Sequence, residues 1–357
     1  MDFRSSPTAR LVLFLLAGKA AVVSAVLVLV RNPSVLQGLG TKWDSSYYEA
    51  IAAHGYGPSA PYVFSPAYPI AIRALLFVLG NPWVSALVVT NSLSFVFPIL
   101  LYKAFGYRTA LLAELFPTYL VFTTVAYSDV VALTLLAATF LFVMRNRLAR
   151  SSLALSGAIF AFYSLALTLP SFLLLAREKR RATLLFFVAP LLTGAGILLW
   201  FKLQTGGYFS LFALEAPWEV GVANPVAQAL YLLCSQGQGS FTCQPWAVGG
   251  IVLPPPYWEV RNLLFEGFYM FGAVYLLKAG VRYRVFLSVY SLSVVVPLLF
   301  TTGFPALSIP RLLLPAFPVF IGYAEILQGP RRTTVYIAVC LVLAALVSII
   351  QYFAIFA

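Results

Sequence analysis

LVLFLLAGKAAVVSAVLVLV, residues 11–30, is an apolar run that contains one charged residue, Lys19. A helix needs about 20 consecutive apolar residues to cross the hydrocarbon core of a bilayer. The run therefore predicts a first transmembrane helix at residues 10–30. It is longer than the apolar region of a cleavable signal peptide, which is about 7–15 residues. We therefore expect no cleavable signal here.

The whole chain has the composition of a membrane protein. Of its 357 residues, 61% are hydrophobic and 10% are Asp, Glu, Lys or Arg, and the mean hydropathy is +0.92. Soluble domains carry about 25% charged residues, so ordinary soluble enzymes and disordered chains are excluded. We predict an all-α polytopic membrane protein with about 10–11 transmembrane helices. Besides the first run, the predicted helices are 82–104, 108–126, 128–144, 152–167, 169–177, 183–203, 261–279, 285–302, 311–327 and 333–355. The pair at 152–177 is too short for two full spans and predicts a bent or half-height hairpin.

The charged residues indicate an orientation. Lys and Arg total 23 against 11 Asp and Glu, which gives a net charge of +12. Sixteen of the 23 basic residues fall on one set of loops, and the basic loops of membrane proteins are cytoplasmic. We expect a multi-pass protein of the cell membrane (or of the ER membrane in a eukaryote) with a cytosolic N-terminus, and no nucleic-acid partner. Segments 31–81 and 204–260 then lie outside, and seven of the eleven acidic residues fall on or near that side.

Metal ligands are scarce in this sequence. There are three cysteines and one histidine, and neither a CxxC pair nor an HExxH motif occurs, so we predict no metal site. Cys340 lies in an apolar run and is expected to pack there. Cys234 and Cys243 flank a polar loop and are either a disulfide or two free thiols.

The first outer segment contains TKWDSSYYEAIAAHGY, residues 41–56. Its aromatic and apolar residues recur at helical spacing, which is typical of a helix that lies in the membrane interface. Gly55 is expected to end this helix, and residues 70–80 predict a second short amphipathic piece. Asp44, held at this boundary, suits a general base that acts on a lipid-borne substrate. It is also a favoured residue type for a helix N-cap.

Three motifs then follow one another along the chain. The first is WDSSYYEAIAAHGY at 43–56 followed by FSPAYP at 64–69, the second is AYSD at 126–129, and the third is RLLLP at 311–315. Together they resemble the glycosylphosphatidylinositol mannosyltransferase II (PIG-V) family of the GT-C superfamily, whose members use lipid-phosphate sugars. The chain departs from that family at 168–172, TLPSF, where the family has Thr-Arg-x-x-Gly. We expect a prokaryotic or archaeal homologue.

The resemblance implies a fold and a reaction. The fold is GT-C, with residues 1–203 as the conserved transmembrane module, 31–81 as its catalytic first outer loop, 204–260 as an outer cap and 261–357 as C-terminal helices. The reaction is transfer of mannose, with inversion, from polyprenyl (dolichyl) phosphate mannose to a lipid-linked acceptor at the outer face of the membrane. The expected partners are this donor, the acceptor and membrane lipids. Inversion needs one base, and a cation can stabilise the leaving phosphate, so we expect no cofactor. The sequence indicates no particular partner subunit.

The resemblance also suggests roles for individual residues. Asp44 is the expected base, and Arg311 is the candidate for the lipid phosphate, with snorkelling to the interface as the alternative. His54 is a second candidate for phosphate or sugar, or is structural. Asp129 is expected to orient hydroxyls of the substrate or to cap its helix, whereas Glu49 is expected to be solvated. Some aromatic residues are expected to contact sugar or prenyl groups, or to form an interfacial belt; these are Trp43, Tyr47, Tyr48 and Tyr127.

Other functions remain open on the sequence. A GT-C transferase for glucose or arabinose fits the same residues. A lipid or glycolipid transporter is the alternative from a different class, but transporters usually show repeats and polar residues near the bilayer midplane. Here Lys19 and Glu114 are the main midplane exceptions. A phosphoethanolamine transferase would need a metal cluster of His and Asp, which a single histidine argues against.

Overall fold

The computed structural model describes residues 6–30, 35–41, 44–57, 61–210, 221–222, 246–248, 251–253, 257–302 and 308–356. Most of these residues are helical. The first nine α-helices are α1 (Pro7–Val30), α2 (Val35–Thr41), α3 (Asp44–His54), α4 (Ala67–Leu79), α5 (Pro82–Phe105), α6 (Tyr107–Glu114), α7 (Pro117–Phe122), α8 (Asp129–Met144) and α9 (Leu148–Ala161). A 3-10 segment, Tyr163–Leu175, precedes α10 (Ala176–Thr205). The later helices are α11 (Tyr257–Tyr275), α12 (Arg284–Leu299), α13 (Ile309–Leu312), α14 (Val319–Ile326) and α15 (Pro330–Phe356), with a 3-10 turn at Leu314–Ala316.

Several of these helices have the length and apolarity of membrane spans. Among the described residues there are four, namely Pro7–Val28, Pro82–Phe105, Thr183–Thr205 and Pro330–Val347. A fifth span results if Ile309–Ala316 and Val319–Ile326, which meet at 81°, are one bent helix. The shorter apolar helices, of 10–17 residues, are α4, α8, α9, α12 and the 3-10 segment. The chain is therefore an all-α, multi-pass membrane protein.

Proline divides two stretches that the sequence predicted as single helices. The helix predicted at 108–126 is two helices, because α6 ends at Glu114 and α7 begins at Pro117. Phe116 is extended, with φ −64° and ψ 136°, as the residue before a proline usually is. The helix predicted at 311–327 is likewise bent, with Pro315 and Pro318 inside the stretch. The piece at 152–177 is short and broken, as predicted, because α9 gives way to the 3-10 segment after Ala161.

The two ends of the chain share one hydrophobic core. A single cluster of buried residues joins Leu11 of α1, Phe140 of α8, Tyr290 of α12 and Phe320 of α14. Phe140 sits at its centre, with its ring 4.7 Å from that of Tyr290 and 5.4 Å from that of Phe317. The predicted segments 1–203 and 261–357 therefore pack together rather than as separate cores. As domain boundaries they stay a prediction.

Helices α11 and α14 approach each other through glycines. A Cβ atom on Gly272 would lie 2.7 Å from the Val319 side chain, and one on Gly322 would lie 3.0 Å from the Tyr275 ring. Small residues allow this close approach of helices in membranes. The second arm of the bent pair is thus held tightly against α11.

Four short strands complete the described structure. β1 (Gly221–Val222) pairs antiparallel with β4 (Thr301–Thr302), with Gly221 opposite Thr302. β2 (Trp246–Val248) and β3 (Ile251–Leu253) form an antiparallel pair. The rest of the predicted cap at 204–260 beyond residue 210 falls mostly outside the described residues, as do Cys234 and Cys243. Cys340 is buried and free, in agreement with packing.

Candidate functional site

Helix α3 carries the predicted base and is tied to a second motif of the sequence. As predicted, the helix ends at Gly55, whose φ of 85° suits glycine. Ser45 Oγ donates a 2.6 Å hydrogen bond to the carbonyl of Ala126. The Ala126 N–H in turn donates to the carbonyl of Leu39, just before α3, at 2.9 Å. These two bonds hold Asp44 beside the segment that leads to Asp129.

The FSPAYP motif lies under α3 as an aromatic layer. The ring of Tyr48 packs edge-on against Phe64 at 5.1 Å and against Tyr68 at 5.2 Å. The Tyr68 hydroxyl lies 2.7 Å from Thr90 Oγ1. Thr90 donates to the carbonyl of Tyr127 at 3.3 Å. Motifs that are far apart in the chain therefore meet in one place.

Arg311 lies at the centre of the site, between two carboxylates. Its Nη1 donates to Asp44 Oδ2 at 2.8 Å, across 267 residues of sequence. Its Nε lies 3.8 Å from Asp129 Oδ1. The side chains of Arg311, Asp44 and Asp129 are 14%, 21% and 9% exposed. We call these three residues the charged cluster.

Aromatic rings enclose the charged cluster. The Arg311 guanidinium lies 4.8 Å from the centre of the Tyr127 ring and 5.8 Å from that of Phe122, which is within the range of cation–π attraction. Tyr48 accepts a 2.8 Å hydrogen bond from Ser128 Oγ. Burial, and then the negative charge of Asp44, raise the pKa of Tyr48. Tyr48 is therefore a neutral phenol at physiological pH.

Two buried polar atoms of the cluster have no hydrogen-bond partner among the described residues: Asp129 Oδ2 and Arg311 Nε. Unpaired buried polar atoms are costly, about 1–3 kcal/mol each or more when charged. The open N–H of Arg311 suits an anionic substrate group, and the open carboxylate oxygen of Asp129 suits a substrate hydroxyl. We therefore take the charged cluster as the candidate site.

Glu49 corrects one expectation from the sequence. It was predicted to be solvated, but it is buried at 9% exposure, and its Oε1 has no partner among the described residues. Burial raises the pKa of Glu49 to about 7. The expectation failed because α3 packs against both α4 and α5.

The structure brings together most, but not all, of the predicted site residues. Asp44, Arg311, Asp129, Tyr127 and Tyr48 meet in or beside the charged cluster. His54 is exposed and ends α3. At 1.5 Å of rise per residue it is about 15 Å along the helix from Asp44, so its phosphate role stays a prediction. Trp43 lies outside the described residues.

Some residues of the site were not predicted. Ser128 was quoted only as part of the AYSD motif, yet its hydroxyl holds Tyr48. Ser45 and Phe122 also contribute contacts. The position of Ser45 beside Asp44 was a usable signal. Phe122 lies in an apolar run and carries no signal that marks it for the site.

Few side chains in the described part of the chain lie where they could bind a metal ion. Among the residues that the structure describes, no three His, Cys, Asp or Glu side chains come together as metal ligands. The two carboxylates of the charged cluster already face Arg311.

An apolar cavity of about 930 Å³ opens beside the start of α7. We call it the α11–α15 groove, since its walls come from those two helices and from the start of α7. Arg261 lines it near the start of α11, and Arg331 and Arg332 line it near the start of α15. Its other lining is almost entirely apolar, including Phe116, Pro117, Phe265, Phe268, Val339 and Leu343. Helix α7 begins in this wall and ends at Phe122, beside Arg311.

Comparison with known proteins shows the fold. No protein-family model matches the chain, and no curated protein matches it by sequence. Two solved structures of ArnT from Cupriavidus metallidurans are similar to it. The one bound to undecaprenyl phosphate has a TM-score of 0.54 at 14% identity, and the one in the apo state has 0.50 at 15%. In both cases 93% of this chain is covered, and it spans 62% of the length of ArnT. The chain therefore has the GT-C fold that the sequence predicted.

Proposed function

We propose that this protein is an inverting glycosyltransferase that moves mannose from a polyprenyl phosphate carrier to a lipid-linked acceptor. The observation that carries the proposal is the charged cluster, in which the carboxylate of Asp44, at the start of α3, is paired with an arginine 2.8 Å away. The GT-C fold supports it, because the cluster joins the motifs that resemble lipid-phosphate sugar transferases.

Asp44 is the general base of the proposed reaction. It removes the proton of the acceptor hydroxyl while the hydroxyl oxygen attacks the anomeric carbon. The bond from that carbon to the phosphate oxygen breaks, and the electron pair leaves with the phosphate. Attack from the opposite face inverts the configuration. At 21% exposure, the Asp44 side chain is accessible to a hydroxyl group.

Arg311 binds the phosphate of the carrier. An arginine presents several N–H groups in a planar fork that matches phosphate oxygens. Its Nη1 donates to Asp44, and its Nε is buried without a hydrogen-bond partner among the described residues. We expect a phosphate to bind Nε once the side chains around it move apart. The positive charge then stabilises the phosphate as its negative charge grows in the transition state.

The neighbouring residues bind the sugar in this proposal. Asp129 Oδ2 has no partner among the described residues and accepts a hydrogen bond from a substrate hydroxyl. Tyr48 and Tyr127 offer ring faces and edges beside it, and Trp43 is proposed to do the same. His54 is proposed as an additional phosphate contact. It lies at the opposite end of α3 from Asp44, so the phosphate would have to reach that end of the helix.

The α11–α15 groove supports a prenyl chain as the lipid part of the donor. Apart from three arginines its lining is mostly apolar, and α7, which begins at the lining residue Pro117, ends at Phe122 beside Arg311. ArnT has been solved with undecaprenyl phosphate bound, and we propose a polyprenyl phosphate for this chain by analogy. We further propose that the site faces outside and the N-terminus the cytosol, because of the basic loops.

The identity of the sugar and the relation to the PIG-V family are the most specific parts of the proposal. Mannose and the kinship with PIG-V rest on the three motifs, which lie around one site. A GT-C transferase for glucose or arabinose is the alternative that the same residues support, and the acceptor is proposed only as a lipid.

The test is transfer of radiolabel to membrane lipids by purified protein. Polyprenyl phosphate mannose, glucose and arabinose are each supplied to the wild type, Asp44→Asn and Glu325→Gln. Glu325 accepts the Gly280 N–H at 3.0 Å and is not a member of the charged cluster, so it is a matched carboxylate-to-amide control. We expect mannose transfer by the wild type and the control, and a loss of about 10²–10⁴-fold in Asp44→Asn.

Three outcomes would overturn parts of the proposal. Equal turnover by Asp44→Asn and the wild type would remove Asp44 as the base. Turnover with the glucose or arabinose donor, and none with mannose, would replace the sugar. No transfer from any donor would reject the transferase function.

A further inference from the structure

Lys19 is a charged residue in the middle of a membrane span that the proposed reaction does not use. It is 7% exposed and lies in the apolar run of α1. An ionisable residue inside a span is costly and usually functional. Its described contacts are Asn91 Oδ1, at 2.8 Å, the carbonyl of Thr123 and the ring of Phe95. No carboxylate among the described residues forms an ion pair with it.

The carbonyl of Thr123 is one that the backbone leaves open. Helix α7 ends at Phe122, and the chain is irregular until Asp129 begins α8. In a continuous helix the Tyr127 N–H would donate to this carbonyl. Instead that N–H donates to Val125, and the Ala126 N–H donates to Leu39. Open carbonyls at membrane depth must find another donor inside the protein.

Lys19 and Asn91 supply the missing donors together. Lys19 Nζ donates to the Thr123 carbonyl. Asn91 Nδ2 lies 3.4 Å from the Thr124 carbonyl and 2.9 Å from that of Leu87. The lysine also donates to the Asn91 oxygen, which fixes the orientation of the amide. The break in the helix is therefore held by an ammonium and an amide from two other spans.

The segment held in this way carries part of the charged cluster. Tyr127 and Asp129 follow the fixed carbonyls by three to six residues, and both lie against Arg311. We propose that Lys19 is a positioning residue: its ammonium fixes segment 123–128 and thereby sets the places of Tyr127 and Asp129 around Arg311. The expected change in kcat and KM rests on the proposed transferase function, whereas the expected change in hydrogen–deuterium exchange does not.

The experiment compares Lys19→Met with Lys19→Arg and with Lys202→Met. Lys202 is a matched control, because it also lies in a membrane span and donates to a backbone carbonyl, that of Gly206, at 2.6 Å, but it is exposed. Two quantities are measured in purified full-length protein: the kcat and KM for polyprenyl phosphate mannose, and hydrogen–deuterium exchange of the peptide spanning 122–128.

We expect amide hydrogens in this peptide to exchange at least about tenfold faster in Lys19→Met. The substitution removes the bond from Lys19 to the Thr123 carbonyl, so the segment opens more often. We also expect a fall in kcat of about 10–100-fold, as for a displacement of about 1 Å, and a rise in KM, because Asp129 is proposed to bind a substrate hydroxyl. Lys19→Arg should restore most of the protection from exchange and most of the kcat, since arginine also donates to carbonyls. Lys202→Met should match the wild type. If Lys19→Met does not fold, Asn91→Ala, which removes the second donor, should change both quantities in the same direction.

A double-mutant cycle separates positioning from general loss of stability. If Lys19 acts through Asp129, the fall in kcat/KM for Lys19→Met combined with Asp129→Asn should be smaller than the product of the single effects. Losses that multiply fully would overturn the proposal. So would exchange in Lys19→Met equal to that of Lys202→Met, or faster exchange with unchanged kcat. A wild type that transfers no sugar would reject the transferase function instead, and unchanged exchange would then still refute the role of Lys19.

Discussion

Arg311 and Lys19 are both largely buried cations, but they have opposite kinds of partner. Arg311 faces two carboxylates and keeps an Nε without a partner among the described residues. Lys19 faces neutral oxygens, the Thr123 carbonyl and the Asn91 amide. A cation between carboxylates at a membrane boundary can exchange partners with an incoming anion, whereas one that satisfies carbonyls at mid-span maintains the backbone. The comparison teaches that the partners of a buried charge indicate its role better than its burial.

Of the two cations, Arg311 should have the larger effect on the rate when it is removed. We expect Arg311→Met to lower kcat by about 10²–10³-fold, because it removes the charge that stabilises the leaving phosphate. Arg311→Lys should lose about tenfold, since an ammonium is a point charge rather than a fork. The measurement is initial rate against polyprenyl phosphate mannose concentration. A loss in Arg311→Met no greater than in Lys19→Met would break the comparison between the two cations.

Asp129→Asn should have a smaller effect, and mainly on binding. The amide keeps the shape of the side chain but weakens a hydrogen bond to a charged group, which is worth about 1.5–3 kcal/mol. We expect the KM of the sugar substrate whose hydroxyl it binds to rise about tenfold or more, with a lesser fall in kcat. Steady-state kinetics with donor and acceptor varied in turn check this. Unchanged KM values for both substrates would show that Asp129 only begins its helix.

Glu49 should make stability depend on pH. Burial raises its pKa to about 7 in the folded protein, from 4.5, so the folded state binds more protons between these values. Stability contributed by this group is then fully present below about pH 4.5 and declines as pH rises to about 7, by up to about 1.4 kcal/mol per pH unit.

We expect Glu49→Gln to remove this decline and to be more stable than the wild type at pH 8. Thermal unfolding in detergent from pH 5 to 8 measures the difference. Glu325→Gln should keep the slope of the wild type. Parallel curves for the wild type and Glu49→Gln would contradict the raised pKa.

The smallest expected effect is that of a chelator. A monophosphate leaving group carries less charge than a diphosphate, and Arg311 is proposed to neutralise it, so we expect EDTA to change the transfer rate by less than about twofold. Protein treated with EDTA is assayed before and after addition of Mn²⁺ or Mg²⁺. A rate that EDTA abolishes and Mn²⁺ restores would show that a metal acts beside Arg311.

Much of this arrangement could be predicted from the sequence. Apolar run lengths predicted the membrane class, and a recognisable motif predicted the interfacial helix with Asp44 at its start. The pairing of Asp44 with Arg311 was not predicted, because a contact across 267 residues leaves no local pattern. Burial of Glu49 was missed for a related reason: a helical wheel describes one helix and not the helices that cover it.

The breaks at Pro117 and near Pro315 show the same limit. Hydropathy identifies apolar runs, but it does not distinguish a straight span from two short helices with an irregular segment between them. In this chain the irregular and bent segments carry Tyr127 and Arg311, and Asp129 directly follows the irregular one as the first residue of α8. The site was therefore built where the sequence pattern is least informative about conformation.

The close contact of α11 with α14 has a consequence for evolution and design. Arg311 lies on the first arm of a pair bent by 81°, and Gly272 and Gly322 hold the second arm in place. The bend converts a small rotation of one arm into a sideways shift of the guanidinium. A displacement of about 1 Å in such a group can cost about 100-fold in rate. We therefore expect two residues without side chains, which lie in neither of the carboxylate motifs, to limit how far the guanidinium can move.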